Sequence, residues 1–200
     1  MPGWIFLRHG QSQANVERWL SGWVDSPLTE LGQQQAAEAR EACSAWTFQR
    51  ALCSDLSRAH DTALAVLSHD DIPLEVTVEL RERDMGDWSR KSLDVVREEG
   101  KSHRLTAWHG APPNGESNAE LGHRVFTYLS GLAPISGNTL IVAHGGLIRV
   151  VLGVIDGCEY EAIGKMAIEN CVPHFRELPN GRFHQLLKHH QGAFFKNQEQ

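Results

Sequence analysis

Several short segments set reactive side chains at the ends of apolar runs. Trp4-Ile5-Phe6-Leu7 leads into Arg8-His9-Gly10, and Thr139-Leu140-Ile141-Val142-Ala143 leads into His144-Gly145-Gly146. Arg50-Ala51-Leu52-Cys53 leads into Ser54-Asp55-Leu56-Ser57-Arg58, and Glu82 follows the run Leu74–Val78. Two guanidiniums with rigid donor forks suit a tetrahedral dianion, which they can grip bidentately. Two imidazoles add either two donors or a donor and a nucleophile. Gly10 and Gly145 let backbone come close to a ligand. Helices beginning near Ser57 and Gly146 direct partial positive charge the same way. The ligand this set suits is phosphate. An imidazole among cations resists protonation and keeps its lone pair for attack. Glu82 could then protonate the departing alkoxide, although Asp84 lies only two residues on. The chemistry expected is a covalent phosphohistidine that water then attacks.

For these groups to meet, the apolar runs must be strands of one sheet. Thr29 reads as the N-cap of a helix through about Cys43, and Ser57 as the cap of a helix carrying Ala59, Ala63, Val66 and Leu67. Further helices are expected from about Asn118 to Leu132 and from Gly146 to Ile155. The stretch Ala167–Leu187 reads as two strands around Pro179-Asn180-Gly181-Arg182. Residues 8–28 form a long irregular connection, in which Trp19, Leu20, Trp23 and Val24 argue against disorder. Alternating strands and helices predict an α/β, three-layer sandwich with a mostly parallel central sheet flanked by helices. In such sheets ligands bind beyond the carboxyl ends of the strands, where the reactive residues fall.

Composition narrows the partners. The 200 residues hold 19 Lys and Arg against 25 Asp and Glu, a formal net charge of −6, which speaks against a broad nucleic-acid surface. The first ten residues carry no basic n-region followed by a long apolar stretch, so neither a signal peptide nor a membrane anchor is expected. Cys43, Cys53, Cys158 and Cys171 form no CxxC pair and read as reduced thiols of a cytoplasmic protein. His189-His190 has no carboxylate or cysteine at ligand spacing, no HExxH occurs, and Gly145-Gly146 is no dinucleotide fingerprint.

Six segments, in order, resemble the histidine phosphatase superfamily, in the branch that includes cofactor-dependent phosphoglycerate mutases. They are LRHGQSQAN (7–15), SGWVDSPLTELGQQQA (21–36), SDLSRAHDTA (54–63), LRERDMGDW (80–88), PPNGES (112–117) and VAHGGLIR (142–149). The resemblance implies His9 as the nucleophile and Glu82 as the proton donor, with Arg8, Arg58 and His144 binding the transferring phosphoryl group. Asn15 and the Ser21-Gly22 segment match positions lining the phosphate pocket, and Gly145 joins them as a substrate-binding position. It also implies no metal and no cofactor, with arginines in place of a metal clamp. Two departures are Gln11, where the family often has Glu, and Ala143, where it often has Ser before the HGG. The whole chain, 1–200, reads as a single histidine phosphatase domain with a variable helical lid at about 83–116 and a frayed tail at 191–200.

Hydrolysis and mutase transfer begin with the same phosphohistidine. The family's mutases are longer between the acid and the second histidine, so the compact stretch from Glu82 to His144 favours a phosphatase, although the Ser21-Gly22-Trp23 triplet is one that mutases share. A binding module without turnover is the remaining alternative. The expected partner is a small phosphomonoester, with no nucleic acid and no membrane; a homodimer is left open. Specificity is expected from the lid, where Arg83, Arg90, Lys91, Arg97, Lys101, His103, Arg104 and His109 could meet a second anionic group. Asp84, Asp87, Asp94, Glu98 and Glu99 among them make a solvated, charge-mixed surface the plainer reading. Arg149 is expected in an ion pair outside the ring of phosphate contacts, and His60 on a helix surface.

Overall fold

The computed structural model describes residues 1–68 and 71–195. The apolar runs are strands: β1 (Gly3–Arg8), β2 (Phe48–Ser54), β3 (Leu74–Thr77) and β4 (Asn138–Ala143), joined by β5 (Pro173–Glu177). They form one sheet in the order β3-β2-β4-β1-β5. The first four are mutually parallel and β5 runs antiparallel to β1. Between and after them lie α1 (Gln13–Glu17), α2 (Glu30–Cys43), α3 (Ser57–Val66), α4 (Leu93–Ser102), α5 (Asn118–Ser130), α6 (Gly145–Ile155), α7 (Tyr160–Ile163), α8 (Arg182–His189) and α9 (Gln191–Phe194).

Strand alternation divides the core in two. Trp4, Phe6, Leu52, Ile141 and Ala143 face one layer, where they pack with residues of α5, α6, α8 and α9. Ile5, Leu7, Ala51, Cys53, Leu140 and Val142 face the other, against α2 and α3. Both faces are covered, which is why the central strands read as continuous apolar runs. The register Leu7↔Val142 and Arg8↔Ala143 sets the ends of β1 and β4 side by side. Met85, Trp88 and Val96, with Leu20 and Leu105 against them, form a small separate core beneath the 83–116 region. That region is tied to the first loop by the bridge Trp19↔Ser92.

Three expectations need correction. Ala167–Leu187 contains one strand, not two: after Gly181, in the left-handed region at φ 81°, the chain forms α8. Phe183 and Leu186 are its buried residues, and their spacing of three suits a helix rather than a strand. Ser57 does not cap α3 but is its first residue, after Leu56; Thr29 does cap α2, accepting from the Gly32 N–H. Residues 191–195 are not frayed. The α9 turn buries Phe194 near the Trp108 and Phe126 rings, and Trp108 Nε1 donates to the Ala193 carbonyl at 2.7 Å. The signal was the pair Phe194-Phe195 in a polar segment, of which Phe194 is buried, by α5 and Trp108 of the 83–116 region. The rest of the expected tail, 196–200, lies outside the described residues.

Phe194→Ala is expected to destabilise the fold by about 3–5 kcal/mol in urea unfolding, the cost of removing a buried aromatic ring. A loss below about 1 kcal/mol would show that the chain end does not hold the lid to α5.

Candidate active site

The β1–β4 register builds the centre of the site. The His9 N–H donates to the Ala143 carbonyl at 3.0 Å, extending the pairing one residue past both strands. The His9 and His144 rings then meet edge-on with centroids 5.2 Å apart. His9 is held from below, since Asn170 Nδ2 donates to its carbonyl at 2.6 Å. His9 Nδ1 lies 2.6 Å from the Gly10 carbonyl oxygen. A carbonyl only accepts, so this contact fixes the proton on Nδ1 and leaves the lone pair on Nε2.

Both arginines come to these imidazoles from the sheet edge. Arg8, the last residue of β1, shares the face of Trp4 and Phe6 and donates through Nη1 to the Ile168 carbonyl at 2.7 Å. Arg58, in the first turn of α3, is fully buried. It is tied to the first loop through Nη2 to the Gly22 carbonyl (2.9 Å) and Nη1 to the Val24 carbonyl (3.1 Å). Burial and the two nearby guanidiniums, Arg58 ahead of Arg8, hold the His9 imidazole well below its ordinary 6.5. His144 is displaced the same way, by burial first and then by Arg58, His9, Arg8 and Arg124. Arg8 Nε, Arg58 Nε and both ring nitrogens of His144 are buried without a hydrogen-bond partner among the described residues. Buried donors in that condition are costly, and an anion that accepts from them offsets the cost.

Glu82 reaches the site from the far side of α6. Its carboxylate accepts from the N–H groups of Gly146 (2.9 Å), Leu147 (3.1 Å) and Arg83 (2.8 Å). A Cβ on Gly146 would fall 2.3 Å from Glu82 Oε1, so glycine there is a condition for this approach. Among the charges around Arg8 and Arg58, Glu82 is the leading favourable one for both. Asp84 is occupied elsewhere, accepting from the Gly86 N–H within its own turn. Both helix starts expected to greet phosphate are therefore taken by carboxylates. Glu82 holds the start of α6, and Asp25 accepts from the Ser57 N–H (3.0 Å) and hydroxyl (2.9 Å) at the start of α3.

The remaining expected residues divide. Gly145 is buried beside Arg8, whose Nε would lie 3.3 Å from a Cβ there, so its lack of a side chain makes room for that guanidinium. Gly22, at φ 49°, serves through its carbonyl on Arg58. Ser21 accepts from the Val24 N–H through its carbonyl, within the same turn. Asn15 is exposed and its side chain accepts from the Ser12 N–H, so it closes the start of α1; among the described residues no hydrogen bond joins it to Arg8, His9, Arg58, Glu82 or His144. Gly10 does not open space for a ligand. A Cβ there would meet the Gly32 carbonyl oxygen at 2.2 Å, so it lets the first loop lie against α2. Among the described residues Arg149 has no ion pair; it donates to the Gly145 and Gly164 carbonyls. Sequence reasoning passed over Trp23 as a contact of Glu82, together with Glu116 and Arg124. No local pattern marks those residues, because each reaches Glu82's segment across at least 32 positions of chain.

Among the described residues, no group of three or more His, Cys, Asp or Glu side chains could hold a metal ion, and no helix is long and apolar enough to cross a membrane. None of the four cysteines is in a disulfide.

Known proteins share both the chain and the fold. The chain is 32% identical over 174 residues to the adenosylcobalamin/alpha-ribazole phosphatase of Escherichia coli K12, covering 83% of this chain and 84% of that one. It is 35% identical over 182 residues to the 2,3-bisphosphoglycerate-dependent phosphoglycerate mutase of Bartonella quintana, covering 84% and 88%. Among solved structures, a mycobacterial glucosyl-3-phosphoglycerate phosphatase in complex with VO3 superposes with a TM-score of 0.80 at 26% identity, over 88% of this chain and 92% of that one. The alpha-ribazole phosphatase of Shigella flexneri superposes with a TM-score of 0.77 at 29% identity, over 90% and 92%. The model of the histidine phosphatase superfamily (branch 1) matches residues 4–187. With nearly the whole length matched by that model, this chain belongs to branch 1 of the histidine phosphatase superfamily.

Proposed function

We propose that the protein hydrolyses small phosphomonoesters through a phosphohistidine on His9. The observation that carries this reading is the His9 ring itself: its Nδ1 lies against the Gly10 carbonyl, which places the proton there and leaves the Nε2 lone pair for attack, and burial with the Arg58 and Arg8 guanidiniums favours the neutral form. The phosphoryl oxygens accept from Arg8, Arg58 and His144, which satisfies their unpartnered donors. Nε2 attacks phosphorus as the ester P–O bond breaks, and Glu82 gives its proton to the departing alkoxide. Water then attacks the phosphorus of the phosphohistidine and Glu82 takes the proton back. The N–P bond breaks, phosphate leaves, and the lone pair returns to Nε2. The cations stabilise charge on the transferring group, the part a metal plays in other phosphatases.

The lid supports hydrolysis over transfer. Three of the cations that could have gripped a second phosphate are paired within the lid: Lys91 with Glu99, Arg97 with Asp94, and Lys101 with Glu98. Arg83 is turned inward, donating to the Leu105 carbonyl and Asn118 Oδ1, and burial pushes its guanidinium down to about 10. Compactness alone does not decide, because the Bartonella mutase is matched over 88% of its own length. The buried, unpaired thiols of Cys43 and Cys53 support a reducing, cytoplasmic setting. The reading takes 1–200 as one catalytic domain, with 83–116 as its lid.

In excess EDTA, wild-type protein is expected to hydrolyse p-nitrophenyl phosphate, and His9→Ala to retain less than about a hundredth of that rate. Residual activity above this level sinks the nucleophile assignment. Vanadate, which can take the trigonal-bipyramidal geometry of the transferring group, is expected to inhibit below millimolar concentration. If wild type proves inert towards p-nitrophenyl phosphate but moves phosphate between positions of phosphoglycerate when primed with the bisphosphate, the mutase reading replaces this one.

The buried histidines also make stability pH-dependent. Both hold fewer protons folded than unfolded, where each titrates near 6.5. Stability is therefore intact above pH 6.5 and declines as pH falls below it, by up to about 1.4 kcal/mol per pH unit for each ring. Between pH 7 and 5.5, a His9→Gln/His144→Gln variant is expected to lose about 2 kcal/mol less than wild type in urea unfolding without phosphate. Parallel losses in the two proteins would show that the rings are not held neutral.

A further inference from the structure

The segment that presents Glu82 makes almost no backbone pairing of its own. After the 3-10 turn Val78–Leu80, residues 81–85 belong to no helix or strand. Arg81 and Met85 make turn bonds, from the Arg81 N–H to the Val78 carbonyl and from the Trp88 N–H to the Met85 carbonyl, but the carbonyls of Arg81 and Glu82 are met by side chains from elsewhere, and one residue supplies most of those donors. Arg124, on α5, donates through Nη1 to the carbonyls of Glu79 (2.8 Å) and Arg81 (3.3 Å). Its Nη2 donates to the carbonyls of Arg81 and Glu82, both at 3.2 Å. The same guanidinium is forked onto Glu116 through Nε and Nη2, each at 2.8 Å. Glu116 in turn takes hold of the next residue along: its Oε2 accepts from the Asp84 N–H (3.0 Å) and its own N–H donates to the Asp84 carbonyl (2.9 Å).

We propose that the Arg124–Glu116 pair is the positioning device for the proton donor, fixing where the Glu82 carboxylate stands relative to the departing oxygen. This rests on the reading of Glu82 given above. The pair grips the backbone on both sides of Glu82, and Trp23 Nε1 adds a third hold on the Glu82 carbonyl at 2.7 Å. The Arg124 guanidinium lies 5.8 Å from the Trp23 ring centroid, so the clamp also joins the first loop. The side chains of Arg124 and Glu116 are 16% and 18% exposed, so each is the other's main compensation. Only a planar fork can meet a carboxylate and several carbonyls at once; a lysine ammonium, a point donor, cannot. A misplacement of about 1 Å at a reacting group can cost about a hundredfold in rate. Among the described residues neither side chain hydrogen-bonds to Arg8, His9, Arg58 or His144, and Arg124 reaches the phosphoryl pocket only as the last-ranked charge acting on His144, so loss of the pair should fall chiefly on protonation of the leaving group.

The test compares kcat/KM for phenyl phosphate, whose leaving group needs protonation, with that for p-nitrophenyl phosphate, whose leaving group needs it less. Wild type, Glu82→Gln, Arg124→Met, Arg124→Lys and Glu116→Gln are measured together with the vanadate inhibition constant. The phenyl to nitrophenyl ratio is expected to fall by about tenfold or more in Glu82→Gln and in both Arg124 variants, with a smaller fall in Glu116→Gln. Vanadate inhibition is expected to stay within about threefold of wild type in the Arg124 and Glu116 variants. Should Arg124→Met not fold, Arg124→Lys and Glu116→Gln, which keep the charge or the shape, carry the comparison. If Glu82→Gln lowers the ratio but the Arg124 and Glu116 variants do not, or lose both substrates in proportion, the pair is merely structural and the proposal fails alone. If Glu82→Gln leaves the ratio unchanged, the assignment of the proton donor fails and takes this proposal with it.

Discussion

Parallel pairing of β1 with β4 is the constraint on which the rest of the site depends. Residues that share a register leave the sheet side by side, so Arg8-His9 and Ala143-His144 arrive together whatever the loops do. The His9 N–H to Ala143 carbonyl bond carries that pairing one step into the site. Slippage by one residue would reverse the face of every side chain on β1. It would carry Trp4, Phe6 and Arg8 together into the layer of α2 and α3, and put Ile5 and Leu7 against the helices of the other layer. The apolar packing of two layers and the meeting of two imidazoles are thus enforced by the same hydrogen bonds.

The second demand is electrostatic. Two imidazoles and the Arg58 guanidinium are buried together beside the half-buried Arg8, in a protein of formal net charge −6. Burial disfavours every charged form, and the guanidiniums, which stay charged, push the imidazoles to their neutral state. Carboxylates balance the cations from positions where backbone also holds them. Asp25 stands at the start of α3, 3.9 Å from Arg58, and Glu82 at the start of α6. Each helix start, with its own partial positive charge, anchors an acid that faces the cationic centre. The pocket proposed for a dianion is therefore a cationic core rimmed by carboxylates, and the rim is where a proton donor is needed.

The lid obeys different physics from the sheet. It has its own small core around Trp88, and its surface charges pair locally along α4. It is tied to the first loop by the Trp19↔Ser92 bridge and the Leu20–Lys91 and Arg90–Leu20 backbone bonds, and to the helical layer by Arg83 on Asn118, Trp108 against Tyr160 and α9, and the Glu116–Arg124 clamp.

The sequence by itself determined which chemistry is available and roughly where. Apolar runs ending in Arg-His-Gly and His-Gly-Gly, with Ser-Asp-Leu-Ser-Arg and Leu-Arg-Glu between them, specify strands whose ends carry cations, imidazoles and an acid. Those signals are local: a buried strand is a short apolar run, and Thr29 announces its helix within four residues. Only the tertiary structure decided how each group is used. It gave the start of α6 to Glu82 rather than to a ligand, set Gly10 against Gly32, and spent the Asn15 side chain on its own helix. It made a helix of Arg182–His189 and buried Phe194 against α5. It also joined Trp23, Glu116 and Arg124 around the segment bearing Glu82. These contacts span up to more than a hundred residues of chain. Hydrogen bonding and burial at such range depend on which surfaces the packed layers bring together, and no periodicity along the chain records that.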